Sequence, residues 1–135
     1  MAIAASGFEP YARSLLRGIA GFTFSAHGWM KDATIFSWLS GHSSALHLTP
    51  LLVVAAVLET VGGALMLVGL FTRPVAFILC GEMAVAYFTV HYWRARLPIH
   101  NGGELAVLYC FIFFYLIFAG AGSISLDALL RRRKV

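Results

Sequence analysis

The chain has 135 residues, of which 60% are hydrophobic and only 12% are charged, and its formal net charge is +4 at pH 7. Soluble domains carry about 25% charged residues, so this composition excludes an ordinary soluble domain and indicates an integral membrane protein. Much of the positive charge lies in the C-terminal run Arg131-Arg132-Arg133-Lys134. We interpret that run as a topology signal that also meets anionic lipid, and we expect no nucleic-acid partner.

The first predicted membrane span runs from about Pro10 to Met30 and carries a polar stripe. Its N-terminal flank lacks the basic region of a signal peptide, so we expect no cleavage. Positions three and four residues apart share one helical face. The residues on that face are Arg17, Gly21, Phe24, Gly28 and Lys31.

A short interfacial helix is predicted between the first and second spans. Asp32 would cap it, and aromatic residues such as Phe36 and Trp38 are typical of the membrane–water boundary. Gly41-His42-Ser43-Ser44 is then expected to break the helix. We interpret His42 and His47 as solvated loop residues.

The second span, from about Leu48 to Phe71, contains the run L-E-T-V-G-G-A-L-M-L-V-G-L-F-T-R-P. Glu59 lies near its middle, where a charge costs ~3 kcal/mol or more unless it faces a partner or a wet cavity. Gly62 and Gly63 follow on the same face, and small residues there let another helix approach closely. We therefore predict that these glycines contact a neighbouring helix.

The third span is predicted from about Pro74 to Trp93 and contains Glu82, and the fourth runs from about 102 to 121. A basic tail follows at 123–135. The whole chain is thus one domain, an all-α membrane protein with a four-transmembrane-helix bundle. Seven Lys and Arg residues fall on the side of both termini and three on the other, which predicts cytoplasmic termini in a bacterial-type inner membrane.

Three buried charges are expected to form one inward-facing cluster. Measured from the cytoplasmic ends, Arg17 lies roughly 10 Å, Glu82 roughly 12 Å and Glu59 roughly 18 Å along its span. An arginine that reaches two carboxylates offsets much of their burial cost. We interpret the cluster as a site that handles a ligand or a proton. The alternative is an ion network that only fixes the helix register.

A second layer near the outer face is predicted to contact a ligand. Glu104 is one member of this layer, but it also stands in the first turn of the fourth span. There a favourable interaction with the helix dipole would explain its position equally well. A haem held by two histidines is disfavoured, because no two stand on facing inner stripes. The residues of this layer are His27, Lys31, His100, Asn101 and Glu104.

No motif in the chain specifies a reaction. P-loop, GxSxG, HExxH and CxxC patterns are absent, so we predict no metal site and no intrinsic cofactor. Cys80 and Cys110 are expected to lie at different depths, too far apart for a disulfide, and we interpret both as packing residues.

Five sequence blocks follow one another in a specific order and spacing: F-S-A-H-G-W-M-K, the glutamate-glycine run above, G-E-M-A-V-A-Y-F-T-V-H, P-I-H-N-G-G-E-L-A-V-L-Y and G-A-G-S-I-S-L-D-A-L. In these blocks the chain resembles the DoxX family of small four-span membrane proteins over nearly its whole length. This resemblance implies the four-helix bundle and an association with membrane redox systems, including subunits of quinone-linked sulfur oxidation.

Three functional interpretations stay open. The favoured one is a redox-associated subunit that binds a quinone or similar small molecule near the charged cluster and works with a partner protein. The second is a non-catalytic scaffold or assembly factor, and whether the chain is itself an enzyme is left open. Transport is least favoured, because four spans without an internal repeat suit alternating access poorly unless the protein forms a homo-oligomer.

Overall fold

The computed structural model describes residues 2–41 and 49–133, and every regular element in these ranges is helical. The segment Pro50–Val68 contains one π-helical turn, and we call this whole segment the second helix. The segment that follows it, Thr72–His91, ends in another π-helical turn. The elements are α1 (Ala2–Leu39), α2 (Pro50–Val57), π1 (Leu58–Gly62), α3 (Gly63–Val68), α4 (Thr72–Ala86), π2 (Tyr87–His91), α5 (Pro98–Asn101), α6 (Glu104–Ala119) and α7 (Leu126–Arg132).

The first helix is longer than predicted. It begins before Pro10 and continues without a break to Leu39, so the separate interfacial helix is not confirmed. Neither Gly nor Pro occurs between 31 and 39, and Asp32 accepts a hydrogen bond from the Thr60 hydroxyl at 2.7 Å instead of capping a new helix. The chain leaves the helical conformation at Gly41, where φ is +75°.

Several predictions fall outside the described residues. These are the break at 42–44, the solvated positions of His42 and His47, the start of the second span at Leu48 and the end of the basic tail at Lys134.

Within residues 2–41 and 49–133, two helices are long and apolar enough to cross a membrane, namely the segments Pro50–Val68 and Thr72–His91. The apolar helix α6 has 16 residues, fewer than the about 20 that span a bilayer without thinning or tilt. The helical fold class is therefore confirmed, while the count of four spans stays a prediction.

The helices pack as two tight pairs around a shared core. Helix α1 lies mainly against α3 and π1, and α4 lies mainly against α6. Phe24 of α1 joins the pairs, since its ring meets those of Tyr109 and Phe113 edge-on at 5.1 and 5.0 Å. Large apolar side chains cover the outside of the bundle, as a lipid-facing surface requires, for example Phe77, Phe88, Phe111 and Phe118.

Small residues bring α1 into backbone contact with π1 and α3. A Cβ atom on Gly28 would lie 2.5 Å from the Thr60 nitrogen, and one on Gly63 would lie 2.7 Å from the Ser25 nitrogen. Gly62 meets the side chain of Leu79 on α4. The predicted contact of Gly62 and Gly63 with neighbouring helices is thus confirmed. We call the line of close backbone contact between α1 and the second helix the seam, and it fixes which residues of α1 lie opposite π1.

Candidate functional site

The seam between α1 and π1 ends in a pair of polar contacts. The Lys31 ammonium donates to Glu59 Oε1 in an ion pair, and Thr60 beside it donates to Asp32. Glu59 is 4% exposed, whereas the Lys31 side chain is about one-third exposed. The carboxylate is therefore buried, and its cation reaches it from the edge of the bundle.

Glu59 belongs to a π-helical turn within an otherwise regular helix. Such turns are rare in proteins, and they occur frequently at functional sites. The irregular turn therefore coincides with the buried acid of the second helix.

Glu82 of α4 faces the same region but has no partner. Both of its carboxyl oxygens are shielded from solvent, and neither makes a hydrogen bond to the described residues. The second oxygen of Glu59 is in the same condition. Buried polar atoms are nearly always hydrogen-bonded, so unsatisfied ones of this kind call for an explanation.

A cavity of about 410 Å³ joins these groups, and we call it the Glu59–Glu82 cavity. Its volume falls within the range of roughly 300–1,000 Å³ that is usual for small-molecule sites. Lys31, Glu59 and Glu82 form its charged wall, and most of the other lining is apolar. That lining comprises Thr49, Leu51, Leu52, Val54, Ala55, Leu58, Ile78, Met83, Val85, Ala86, Thr89 and Val90.

The cavity opens sideways through the outer surface of the bundle. Leu51, Val54 and Ile78 at its edge are each about half exposed, at 52%, 53% and 50%. In a membrane this surface meets lipid tails. The opening therefore suits a ligand that arrives from the bilayer.

Arg17 does not join the two glutamates, and its predicted pairing with them is wrong. Its Nε donates to the carbonyl of Ala121 at 2.9 Å and its Nη2 to that of Ile124 at 2.6 Å. Nη1 donates to the carbonyls of Met66 and Leu67. Arg17 thus satisfies the open carbonyl end of α3, where a cation is also favourable to the helix dipole.

The position of Arg17 follows from the antiparallel packing of α1 against the second helix. Gly21 of α1 lies against Leu67, and Gly28 lies against Thr60. Arg17, one turn before Gly21, therefore reaches the end of α3, and Lys31, just after Gly28, reaches Glu59. The depth estimate assumed that the two spans end at the same level, whereas in this register α1 extends past the end of the second helix.

The larger groove beside Arg17 is a weaker candidate for the site. It measures about 850 Å³ and lies along α1, α3 and α7. Each of the three guanidinium nitrogens already donates to carbonyl oxygens, so this cation has little left to offer a ligand.

The predicted outer layer does not assemble. His27, His100 and Glu104 are exposed, and of the five residues only Lys31 lines the Glu59–Glu82 cavity. Asn101 is buried, but it braces its own loop by donating to the Ala95 carbonyl and accepting from the Gly103 nitrogen, both at 2.8 Å. The loop before α6 uses Asn101 for its own backbone, so the asparagine does not reach the acids.

The cysteine prediction is also wrong in its geometry. The sulfur atoms of Cys80 and Cys110 lie 3.7 Å apart as free thiols, because α4 and α6 pack closely at this level. Within the described residues, no group of three or more His, Cys, Asp or Glu side chains is placed to hold a metal.

Sequence reasoning found both glutamates but assigned them the wrong cation. The signal for the right one was present, since Lys31 closes the same helical stripe that begins at Arg17. The contact between Asp32 and Thr60 had no comparable signal.

Comparison with known proteins assigns the family. The DoxX family model matches residues 12–92, which include both Lys31 and the two glutamates. A protein of Haemophilus influenzae strain Rd, described as uncharacterized, is 43% identical over 123 residues, covering 89% of this chain and 91% of the relative. No solved structure matches. On the strength of the family match and of this relative, the chain belongs to the DoxX family of membrane proteins.

Proposed function

We propose that this DoxX protein binds a quinone or a similar small lipid-soluble molecule in the Glu59–Glu82 cavity. It would act there as the membrane subunit of a redox system. The observation that carries the proposal is the Glu82 carboxyl group, which is shielded from solvent, faces a cavity of about 410 Å³ and has no partner in the described chain.

The chemistry of the cavity wall matches a quinone headgroup. A quinone offers carbonyl oxygens that accept hydrogen bonds, and the Lys31 ammonium and a protonated Glu82 both donate them. The apolar remainder of the lining suits the ring and the first part of an isoprenoid tail. The lateral opening gives such a molecule a path from the bilayer.

A redox role also requires electrons and protons. Reduction of a quinone to its quinol takes up two electrons and two protons. In this proposal a redox centre on a partner protein supplies the electrons, and the Glu82 carboxyl group passes protons to a quinone oxygen. The association of DoxX proteins with quinone-linked systems supports this assignment.

The second candidate is a scaffold in which the charges only lock the bundle. The observation that favours it is the paired contact of Lys31 with Glu59 and of Asp32 with Thr60, which together hold α1 against π1. This account explains Glu59 but leaves the Glu82 oxygens without a role.

Two variants separate the candidates because the two glutamates differ in their contacts. Glu82→Leu removes no hydrogen bond within the described chain, so we expect its melting temperature to stay near wild type, while loss of the donor weakens binding of a short-chain ubiquinone about tenfold. Glu59→Gln leaves Lys31 without its carboxylate and should lower stability. Binding and melting temperature should be measured on the same full-length preparations, in detergent.

Glu104→Leu is the matched control, because Glu104 is exposed and lies outside the cavity. It should change neither quantity. If wild type binds the quinone and Glu82→Leu binds it equally well, the cavity assignment fails. If wild type binds none and only Glu59→Gln loses stability, the scaffold function replaces the redox one.

A further inference from the structure

A second polar cavity lies at the other end of the bundle, where α4 begins and α6 ends. It measures about 280 Å³. Arginines from three separate elements line it: Arg13 of α1, Arg73 of α4 and Arg131 of α7. It shares no lining residue with the Glu59–Glu82 cavity.

The three arginines are engaged to different degrees. Arg13 pairs with Glu9 and also donates to the Ala119 carbonyl. Arg73 donates to the Phe118 carbonyl at 3.1 Å, from Nη2. The Arg131 guanidinium makes no hydrogen bond or ion pair to residues 2–41 and 49–133, the part of the chain that the structure describes. Guanidinium donors therefore remain open toward the cavity.

The balance of charge in the cavity is positive. Its one lining carboxylate, Asp127, is committed to the start of α4, where it accepts from the backbone nitrogens of Phe71 and Thr72 at 2.9 Å each. Glu9 offsets Arg13, and the hydrogen bond from that guanidinium holds the pKa of Glu9 below its ordinary value. Even with Glu9 counted, three cations face two carboxylates.

We propose that this cavity, lined by Arg13, Arg73 and Arg131, binds the phosphate group of an anionic phospholipid headgroup. The planar fork of arginine matches phosphate oxygens, and basic pockets between helices on the cytoplasmic side bind anionic headgroups. Our proposed orientation, with both termini cytoplasmic, places the cavity at that leaflet. Labelling of Ser123→Cys from the cytoplasmic side checks the orientation.

The test compares two neighbouring arginines of α7 in the full-length protein. Both side chains are exposed, but only Arg131 lines the cavity. In delipidated protein, Arg131→Gln should melt at the wild-type temperature, since it loses no side-chain hydrogen bond or ion pair to the described residues. Retention of phosphatidylglycerol by native mass spectrometry should weaken roughly fivefold in Arg131→Gln and stay unchanged in Arg132→Gln.

Three probes distinguish the sources of the phosphate group. Phosphatidylglycerol should raise the melting temperature of wild type, while phosphatidylcholine and inorganic phosphate should not. Stabilisation by inorganic phosphate that Arg131→Gln abolishes would support the phosphate site but make free phosphate its ligand.

Equal weakening in Arg131→Gln and Arg132→Gln would overturn the proposal, because it would show only a diffuse attraction to the basic tail. Failure of phosphatidylglycerol and phosphate alike to stabilise wild type would also overturn it. Neither result bears on quinone binding, which rests on other residues.

Discussion

The two ends of the seam between α1 and the second helix bury charge in opposite ways. At one end, three nitrogens of Arg17 donate to backbone carbonyls. At the other end, Lys31 satisfies one oxygen of Glu59, while the other oxygen and both oxygens of Glu82 have no partner among the described residues. Both ends lie among apolar helices, so the surroundings alone do not separate them.

The difference teaches which buried charge stabilises the bundle and which is available to a ligand. A buried group whose hydrogen bonds are all made rigidifies the structure, whereas one left unsatisfied costs free energy that folding alone does not recover. The Arg17 end therefore has the character of a structural brace. The Glu82 end has the character of a binding site.

Arg17→Gln tests the brace and should have the largest effect of the changes considered. Several carbonyls at the end of α3 and after α6 lose their donor, so we expect the free energy of unfolding to fall by about 3 kcal/mol. Thermal melting in detergent measures it, with Arg132→Gln as the control of equal charge change. A melting temperature close to wild type would show that the brace is not needed.

Gly28→Ala tests the seam that joins the two ends, and its effect should be intermediate. The added methyl group would press on the Thr60 backbone, and overpacking of this kind costs roughly 1–3 kcal/mol. Gly18→Ala in the same helix is the matched control, since a Cβ there has no neighbour within 4 Å. Alanine also favours helix over glycine by up to about 1 kcal/mol.

The two glycine variants also bear on the binding site. Because Gly28 lies beside π1, Gly28→Ala should shift Glu59 away from Lys31 and weaken quinone binding, while Gly18→Ala should not. Equal melting temperatures for the two variants would contradict the close approach of α1 to π1.

Of the changes considered, cross-linking of Cys80 to Cys110 should have the smallest effect on quinone binding. Their sulfurs lie 3.7 Å apart, so mild oxidation with copper phenanthroline should form a disulfide of about 2.05 Å within one chain. Neither cysteine lines the Glu59–Glu82 cavity, so quinone binding should not change. Titration of free thiols measures the reaction: wild type should lose both thiols, whereas Cys110→Ser should keep its one. Thiols that stay reduced would contradict the packing of α4 on α6.

Patterns local to one helix were predicted well from the sequence. The close contacts of Gly62 and Gly63 follow from the small size of glycine and from helical spacing. Glu59 and Glu82 were recognised because a charge within an apolar run is costly wherever it lies. Partners between helices were predicted poorly, as Arg17 and the two cysteines show.

The sequence by itself determined the membrane character of the chain, its helices and the polar face of α1, because composition and periodicity depend only on neighbours along the chain. Only the tertiary structure decided that Arg17 braces carbonyls, that Lys31 pairs with Glu59 and that Cys80 meets Cys110. Those contacts depend on how far α1 slides along the second helix and on how α4 sits on α6. A slide of one helical turn moves every partner by about 5.4 Å, a distance that hydropathy does not resolve.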